Sequence, residues 1–372
     1  MQEDFHYYAT YCAAFIAGYT HDESLDIAYS AQFVDLCSRT LLVKLKAPVT
    51  AATTQLQLEL MDARTDIIGI QDITRIWASF HFLPRDLYAY KEKRPKKYMN
   101  KYRLICGPNG DLVKKTVELA KDRPLQSLGI AMHVLADTWA HMNFAGTPSL
   151  VINNASNFCE LMPTETSDGG VTEAYDEIPL TFRHSPSAPD DLDGHLYTNS
   201  LLQRDETSIM NLGHGRAGHL PDYSFIRYRY MPAWDDYRLT EKDNPSDYYR
   251  AFTQMVYAMR YLHGDLESFE VDRYDQDSVS PYEDRIREIL RKRQLVANDD
   301  WKAFGEELSG EEIPDFDLER YQDEYMSAAD DDRDDTFIGR FVRGAIAHKT
   351  MVSNEIFESG NKLAGFVQKQ KV

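Results

Sequence analysis

Residues 124–146, PLQSLGIAMHVLADTWAHMNFAG, decide how this chain is read. Within them His133, Asp137 and His141 fall at steps of four on an apolar, helix-forming background. Four residues advance an α-helix by about 400° and about 6 Å, so the three side chains form one polar stripe. Leu128, Ile130, Met132, Val134, Leu135 and Trp139 are spread round the rest of the cylinder, which predicts a central, buried helix. A carboxylate buried between two imidazoles needs partners, because taking it bare out of water is expensive. A metal supplies them, since imidazole and carboxylate are usual ligands of zinc. His133 and His141 lie about 12 Å apart along the axis, too far to share one ion, and Asp137 midway offers two oxygens. The predicted site is therefore multinuclear, with Asp137 as the bridge. The competing reading is a metal-free His/Asp hydrogen-bond network in the core.

Working outward, 372 residues with 43% hydrophobic and 12% aromatic content make a globular chain long enough for a large core. A net charge of -19 gives no general attraction to nucleic-acid backbones or anionic membranes. No apolar run approaches the roughly 18 residues of a membrane span. The start MQEDFHYYATYC lacks a basic leader and cleavage site, so the expected location is the cytoplasm, reached without a signal peptide; delivery as an effector would need none either. Cys12, Cys37, Cys106 and Cys159 are scattered without a CxxC pair, and no disulfide or thiolate metal site is expected. No Walker loop, GxSxG elbow, Rossmann fingerprint or dedicated nucleic-acid motif competes.

Upstream of the key stretch, Tyr7–Ala17 reads as one helix, and THDE at 20–23 offers cap chemistry for a second running to about Leu42, with Asp35 as an acid on its apolar face. Alternation in LLVKLKAPV and TQLQLELM suggests strands or an irregular excursion over 43–84, closing on SFHFLP with His81. Lys91–Arg103 carries seven positive charges out of eight, either a solvated loop or a guide for phosphate-bearing substrates. An amphipathic helix follows at about 111–121. Downstream, 147–200 is a loop-rich insertion, and a helical pattern resumes from about 200 to Pro221, carrying His214, Arg216, His219 and Asp222. Helices are expected at 246–271, 281–296, 317–327 and 335–367, the last capped by the ADDDRDDT acids, whose spacing does not suit a calcium loop. The domain reading is a helical metal-binding unit over 1–271 and a helical C-terminal extension, 272–372, packed on it.

Taken in order, His6 with Asp4, Asp35 in AQFVD, His81 in SFHFLP, His133-VLA-Asp137 with His141, and GHGRAGHLPD resemble the zinc-dependent phospholipase C and single-strand nuclease superfamily. The chain is also similar to an uncharacterised bacterial family of like length that begins DFHYYATY. The resemblance covers residues 4–222 and implies a mainly α, multi-helix phospholipase C/nuclease-like bundle with two or three zinc ions. It implies one ion held by Asp35, His81, His133 and Asp137, another by the N-terminal group, His6 and Asp137, and a third by His141 with His219 or His214 and Asp222. It further implies hydrolysis of a phosphoester, whether lipid, nucleotide or small molecule, by a metal-bound hydroxide, with Asp35 orienting water. Arg216, between the two late histidines, is a candidate to bind phosphate beside the metals. Two departures stand out. Asp137 and His141 are four apart where the secreted enzymes have six, and those enzymes use a processed amino terminus as a ligand, a role for which Asp4 is the substitute expected here. The alternative class is a helical scaffold or interaction protein with a structural metal.

Overall fold

The computed structural model describes residues 1–63, 67–87, 104–155 and 211–360, together with 159–162, 164–165, 171–172, 181–183, 189–192 and 195–198. The basic block at 91–103 and His184 lie outside the described residues. The architecture is mainly α, and no described helix is long and apolar enough to cross a membrane.

The chain opens with a π-helix, Asp4–Ala9, that runs into α1, Thr10–Ile16, and every residue of the π-helix is buried. Helix α2, His21–Phe33, starts at a capping box in which Thr20 Oγ1 accepts from the Glu23 backbone N–H and the Glu23 carboxylate accepts from the Thr20 backbone N–H. It stops well before Leu42. Residues 34–36 turn, Ser38 caps the short α3, Arg39–Lys44, and Asp35 therefore sits on a turn past the helix end, not on a helical face. The stretch expected as strands is also helical, with α4 at Gln57–Ala63 and α5 at Ile67–Phe80. Its alternation lies in short helices and the largely irregular segment between them, where Val43 on α3, Leu56 ahead of α4 and Leu58 on α4 face solvent. Helix α6, Asp111–Ala120, then leads into α7, Leu125–Ala140.

Helix α7 is the axis of the molecule. All residues from Leu128 to Ala140 are buried, and α2, α6, α9 (Asn244–His263) and α14 (Phe337–Glu358) pack round it. The approach of α2 is set by Gly129: a Cβ there would stand 2.4 Å from the Ile27 carbonyl oxygen and from Ser30 Cβ. Only glycine permits that contact, and the contact brings Ala31 over His133.

After the short α8, Leu150–Asn153, the described parts of the insertion form small β-ladders. Strand β1, Cys159–Met162, pairs antiparallel with β6, Arg227–Tyr230, and β6 with β7, Thr240–Asp243, so that Cys159 faces Tyr230 and Arg227 faces Asp243. Tyr228 and Tyr230 point into a second core with Phe144, Tyr223 and Phe225, while Arg227 and Arg229 alternate outward. In place of the helix expected before Pro221, residues 211–222 form turns with two short 3-10 segments, Gly215–Ala217 and Leu220–Asp222.

The last hundred residues share the main core. Trp301, on α12 (Asn298–Ser309), packs edge-on to Phe5 and stacks on Phe252, and Phe341 on α14 meets Phe33. Thr336, not the aspartate run, caps α14, its Oγ1 accepting from the Gly339 N–H.

Candidate metal centre

Five separate pieces of chain converge on the C-terminal half of α7. The π-helix delivers His6, whose ring stacks on His133 with centroids 3.8 Å apart. The turn after α2 delivers Asp35. The residue immediately after α5 is His81, α7 supplies His133 and Asp137 with His141 as its C-cap, and the 211–222 turns bring His214 and Asp222. Gly213 and Gly218, both at positive φ, shape those turns. A Cβ on Gly218 would lie 1.9 Å from the Tyr197 carbonyl oxygen.

Four of the imidazoles are fixed by the backbone. His133 Nδ1 donates to Ala31 O at 2.9 Å, His81 Nε2 to Thr53 O at 3.0 Å, His141 Nδ1 to His81 O at 2.7 Å and His214 Nδ1 to Gly218 O at 2.8 Å. A carbonyl only accepts, so each of these nitrogens carries a proton, and in the neutral ring the other presents a lone pair. Those lone pairs all face the cluster. Asp137 divides it: Oδ1 lies 3.0 Å from the Met1 nitrogen and 3.2 Å from His6 Nε2, whereas Oδ2 lies 3.2 Å from both His81 Nδ1 and His133 Nε2.

His81 Nδ1 and His133 Nε2 are themselves 3.3 Å apart, so with both rings neutral they and Asp137 Oδ2 form a triangle of three acceptors. Asp35 Oδ1 stands over it, 3.7 Å from His81 and 3.9 Å from His133. A second group holds His141 Nε2 at 3.2 Å from Asp222 Oδ1 and His214 Nε2 at 3.6 Å from Asp222 Oδ2. The sets His6/His133/Asp137, Asp35/His81/His133 and His141/His214/Asp222 each gather three ligand atoms within 4.8 Å of one another, and each can hold a metal ion.

Charge reinforces the point. Burial pushes His6, His133 and His214 down to about 4, so these rings are neutral near pH 7. Burial alone would raise Asp137 and Asp222, but His141 and the amino terminus beside Asp137, and His214 and the amino terminus beside Asp222, hold both well below the usual carboxylate range. Burial raises Asp35. The Met1 nitrogen is pulled down by burial yet lifted to about 11 by Asp137, Asp222 and Asp35. It sits 3.3 Å from Asp222 and 3.1 Å from His141 Nε2, filling the Oδ1 side with a cation, and the Oδ2 triangle has none.

Three predicted ligands or catalytic groups are placed elsewhere. Asp4 turns away from the centre: its Oδ1 accepts from the Phe5 N–H and its Oδ2 from the Ala297 N–H at 3.0 Å, so it ties the π-helix to α12 while the amino terminus takes the position expected for it. His219 is 54% exposed and bonds Asp190, leaving His214 as the imidazole beside Asp222. Arg216 is buried with Nε donating to Asn211, while its carbonyl accepts from Thr198; it braces the 211–222 turns. The groups that the sequence reading missed are the carbonyls of Ala31 and Thr53, which no residue letter advertises, whereas the Met1 nitrogen is the N-terminal group expected beside His6 and Asp137. Of the remaining histidines, His348 is buried and donates to Ser79 O, and His21, His195 and His263 stand apart from the centre.

Comparison with known proteins yields one family. No curated protein matches the chain, and no solved structure matches it. The family profile spans residues 1–356, taking in the metal centre and α14 alike, and the chain belongs to that family, DUF6765, a family of unknown function.

Proposed function

We propose that this protein is a zinc-dependent hydrolase of phosphoesters with a multinuclear centre. The observation that carries the reading is the triangle of Asp137 Oδ2, His81 Nδ1 and His133 Nε2, three acceptors 3.2–3.3 Å apart with nothing to donate between them. Lone pairs so crowded repel unless a cation lies between them. Zinc suits the spacing, because tetrahedral ligands at about 2.0–2.1 Å from the ion are separated by roughly 3.3 Å. Neutral imidazoles locked by carbonyls, together with carboxylates held ionised, are the forms in which these residues bind metal.

The order of ligands along the chain supports kinship with the phospholipase C and single-strand nuclease superfamily, now with His214 in the late position and the Met1 amine in the N-terminal one. Bound zinc would acidify water and take up charge on phosphoryl oxygens. The chain's own contribution follows from exposure. His6, His133 and Asp137 are sealed from solvent, whereas Asp35 keeps 29% of its side chain open. Asp35 is therefore placed to orient a water and accept its proton at the open edge, while Asp137 fixes the spacing between the two halves of the centre.

A screen of diester and monoester phosphates, including a nucleotide diester and a phosphatidylcholine, tests the proposal against the wild type, Asp137→Asn and Asp35→Asn. Activity that needs zinc, disappears in the first variant and falls at least 100-fold in the second is the expected result, at about 1.4 kcal/mol per factor of ten. Full zinc loading with no turnover of any ester would leave the centre a structural staple and overturn the hydrolase reading.

A further inference from the structure

A second cavity, of about 180 Å3, opens at the other end of α7. It lies between the C-terminal end of α6, the first turn of α7 and one face of α14. Arg123, Arg340 and Arg343 line it together with Thr116, Ser127 and Gly344. The chain carries 60 acidic residues against 41 basic ones. Several arginines elsewhere pair with carboxylates, as Arg260 does with Asp275 and Arg287 with Glu283. The guanidinium groups of Arg123, Arg340 and Arg343 make no ion pair or hydrogen bond with any described residue. Arg340 and Arg343 are three apart on α14, where like charges repel along a helix face.

A second observation is independent of charge. The Thr116 hydroxyl is buried, at 2% exposure for the residue, lines the cavity and has no hydrogen-bond partner among the described residues. A buried hydroxyl left unpaired costs about 1–3 kcal/mol, which a ligand oxygen would recover. The α7 N-terminus adds to this, since Pro124 stands at its cap position and provides no side-chain acceptor for the first-turn N–H groups. Gly344 keeps the space open: a Cβ there would stand 2.8 Å from Ser127 Oγ and 3.2 Å from Ile130 Cδ1.

We propose that this cavity is a separate binding site for the phosphate group of a small soluble phosphate monoester. Three guanidinium forks, an uncapped helix start and two hydroxyls match the donor demand of a dianionic phosphate, which accepts at three oxygens. The cavity is smaller than the roughly 300 Å3 at which drug-sized pockets begin, so it takes a phosphate and a small substituent. A net charge of -19 sets the whole molecule against an anionic membrane as the source of that phosphate. The site is distinct from the metal centre: Ser127 and Asp137 are ten residues apart on α7, about 15 Å along the axis.

The test is calorimetric titration of the full chain, after treatment with a chelator, with inorganic phosphate and then glycerol phosphate. Arg340→Gln, Arg343→Gln, the double variant and a control, Arg285→Gln, are titrated beside the wild type. Chelation removes the metal centre as a phosphate sink. The cavity arginines are exposed at the surface, so their variants are expected to melt with the wild type. Each single variant should weaken phosphate binding about 10-fold and the double variant should abolish it, with the control unchanged. Thr116→Val, which removes the unpaired hydroxyl at similar volume, should also weaken it. The proposal is overturned if wild-type protein shows no binding at about 10 mM phosphate, where a site with Kd near 1 mM is almost filled, if binding vanishes on chelation, or if the arginine variants bind as the wild type does.

Discussion

Replacing Asp137 by Asn separates the metal reading from a hydrogen-bonded core, because the amide keeps the shape of the side chain and removes its charge. Asp137 stands 3.0–3.2 Å from four nitrogens, those of Met1, His6, His81 and His133, so it belongs to the His6/His133/Asp137 group and its Oδ2 also borders the Asp35/His81/His133 group. The third, His141/His214/Asp222, does not need it. Metal analysis should therefore find two or three zinc ions per wild-type chain and at most one in the variant. The thermal consequence can be estimated as well. An ion present at about 1,000 times its Kd stabilises the folded state by about 4 kcal/mol. With an unfolding entropy near 2.1 cal/mol/K per residue, a chain of 372 residues carries about 0.8 kcal/mol/K, so each ion adds about 5 °C to Tm. The loss of two ions predicts a fall of about 10 °C in the zinc-loaded protein. In excess chelator the difference should shrink to a few degrees, since the new amide N–H donates to the His81 or His133 lone pair while the Met1 ammonium loses its counter-charge. Calorimetry with and without chelator reads both numbers. A wild type that holds no metal and melts alike in zinc and in chelator would refute the reasoning, as would a variant that keeps every ion.

Other perturbations read other parts of the argument. Gly129→Ala places a methyl 2.4 Å from the Ile27 carbonyl oxygen, so α2 must move; a cost of about 1–3 kcal/mol, or about 1–4 °C in Tm, is expected together with weaker zinc binding, because Ala31 O can no longer hold His133, and unchanged zinc affinity would contradict that link. A tag fused ahead of Met1 converts the buried amine into an amide and removes its charge, so it should lower the zinc content by about one ion compared with a C-terminal tag; equal content would remove the amine from the ligand set. In chelated protein, His6, His133, His214 and His348 have folded pKa values near 4 against 6.5 for the free ring. Between those values the unfolded chain binds protons that the folded chain does not. Stability is then full above about pH 6.5 and falls on acidification toward 4 by up to about 1.4 kcal/mol per pH unit for each ring. Asp4, raised to about 6 by burial, works with the opposite sign and offsets roughly one of the four. A Tm that stays level from pH 7 to 5 would contradict the buried, neutral assignment.

Much of the centre is legible in the sequence because helical period turns spacing into geometry. His133, Asp137 and His141 announce themselves at steps of four against an apolar ground, and His81 is marked by its aromatic neighbours and the proline behind it. Where the backbone leaves regular structure, that translation fails. His214 and His219 are five apart in a glycine-rich stretch, and the positive-φ turns at Gly213 and Gly218 decide which of them faces Asp222. The Asp4 assignment failed for another reason: its carboxylate is engaged by the main-chain N–H groups of Phe5 and Ala297, which side-chain letters do not show. The strand reading at 43–60 took alternating leucines for a sheet face, although short helices with exposed apolar residues give the same pattern.

The packing of residues 272–360 on the preceding helices bears on the candidate site. Among the described residues nothing beyond residue 271 offers the centre a ligand, so by chemistry the C-terminal hundred residues look dispensable. By packing they are not. The π-helix that carries His6 is pinned from outside by Ala297 N–H on Asp4 and by Trp301 on Phe5, and α2, which carries Ala31 and leads to Asp35, is covered by Tyr321, Phe337 and Phe341. His348 reaches from α14 to Ser79, two residues before His81. Each of these contacts fixes a backbone segment next to a candidate ligand, and a set of metal ligands tolerates little displacement. The C-terminal helices therefore bear on the candidate metal centre through the position of the helices they cover; the core continues across residue 271, and the family match runs on to 356.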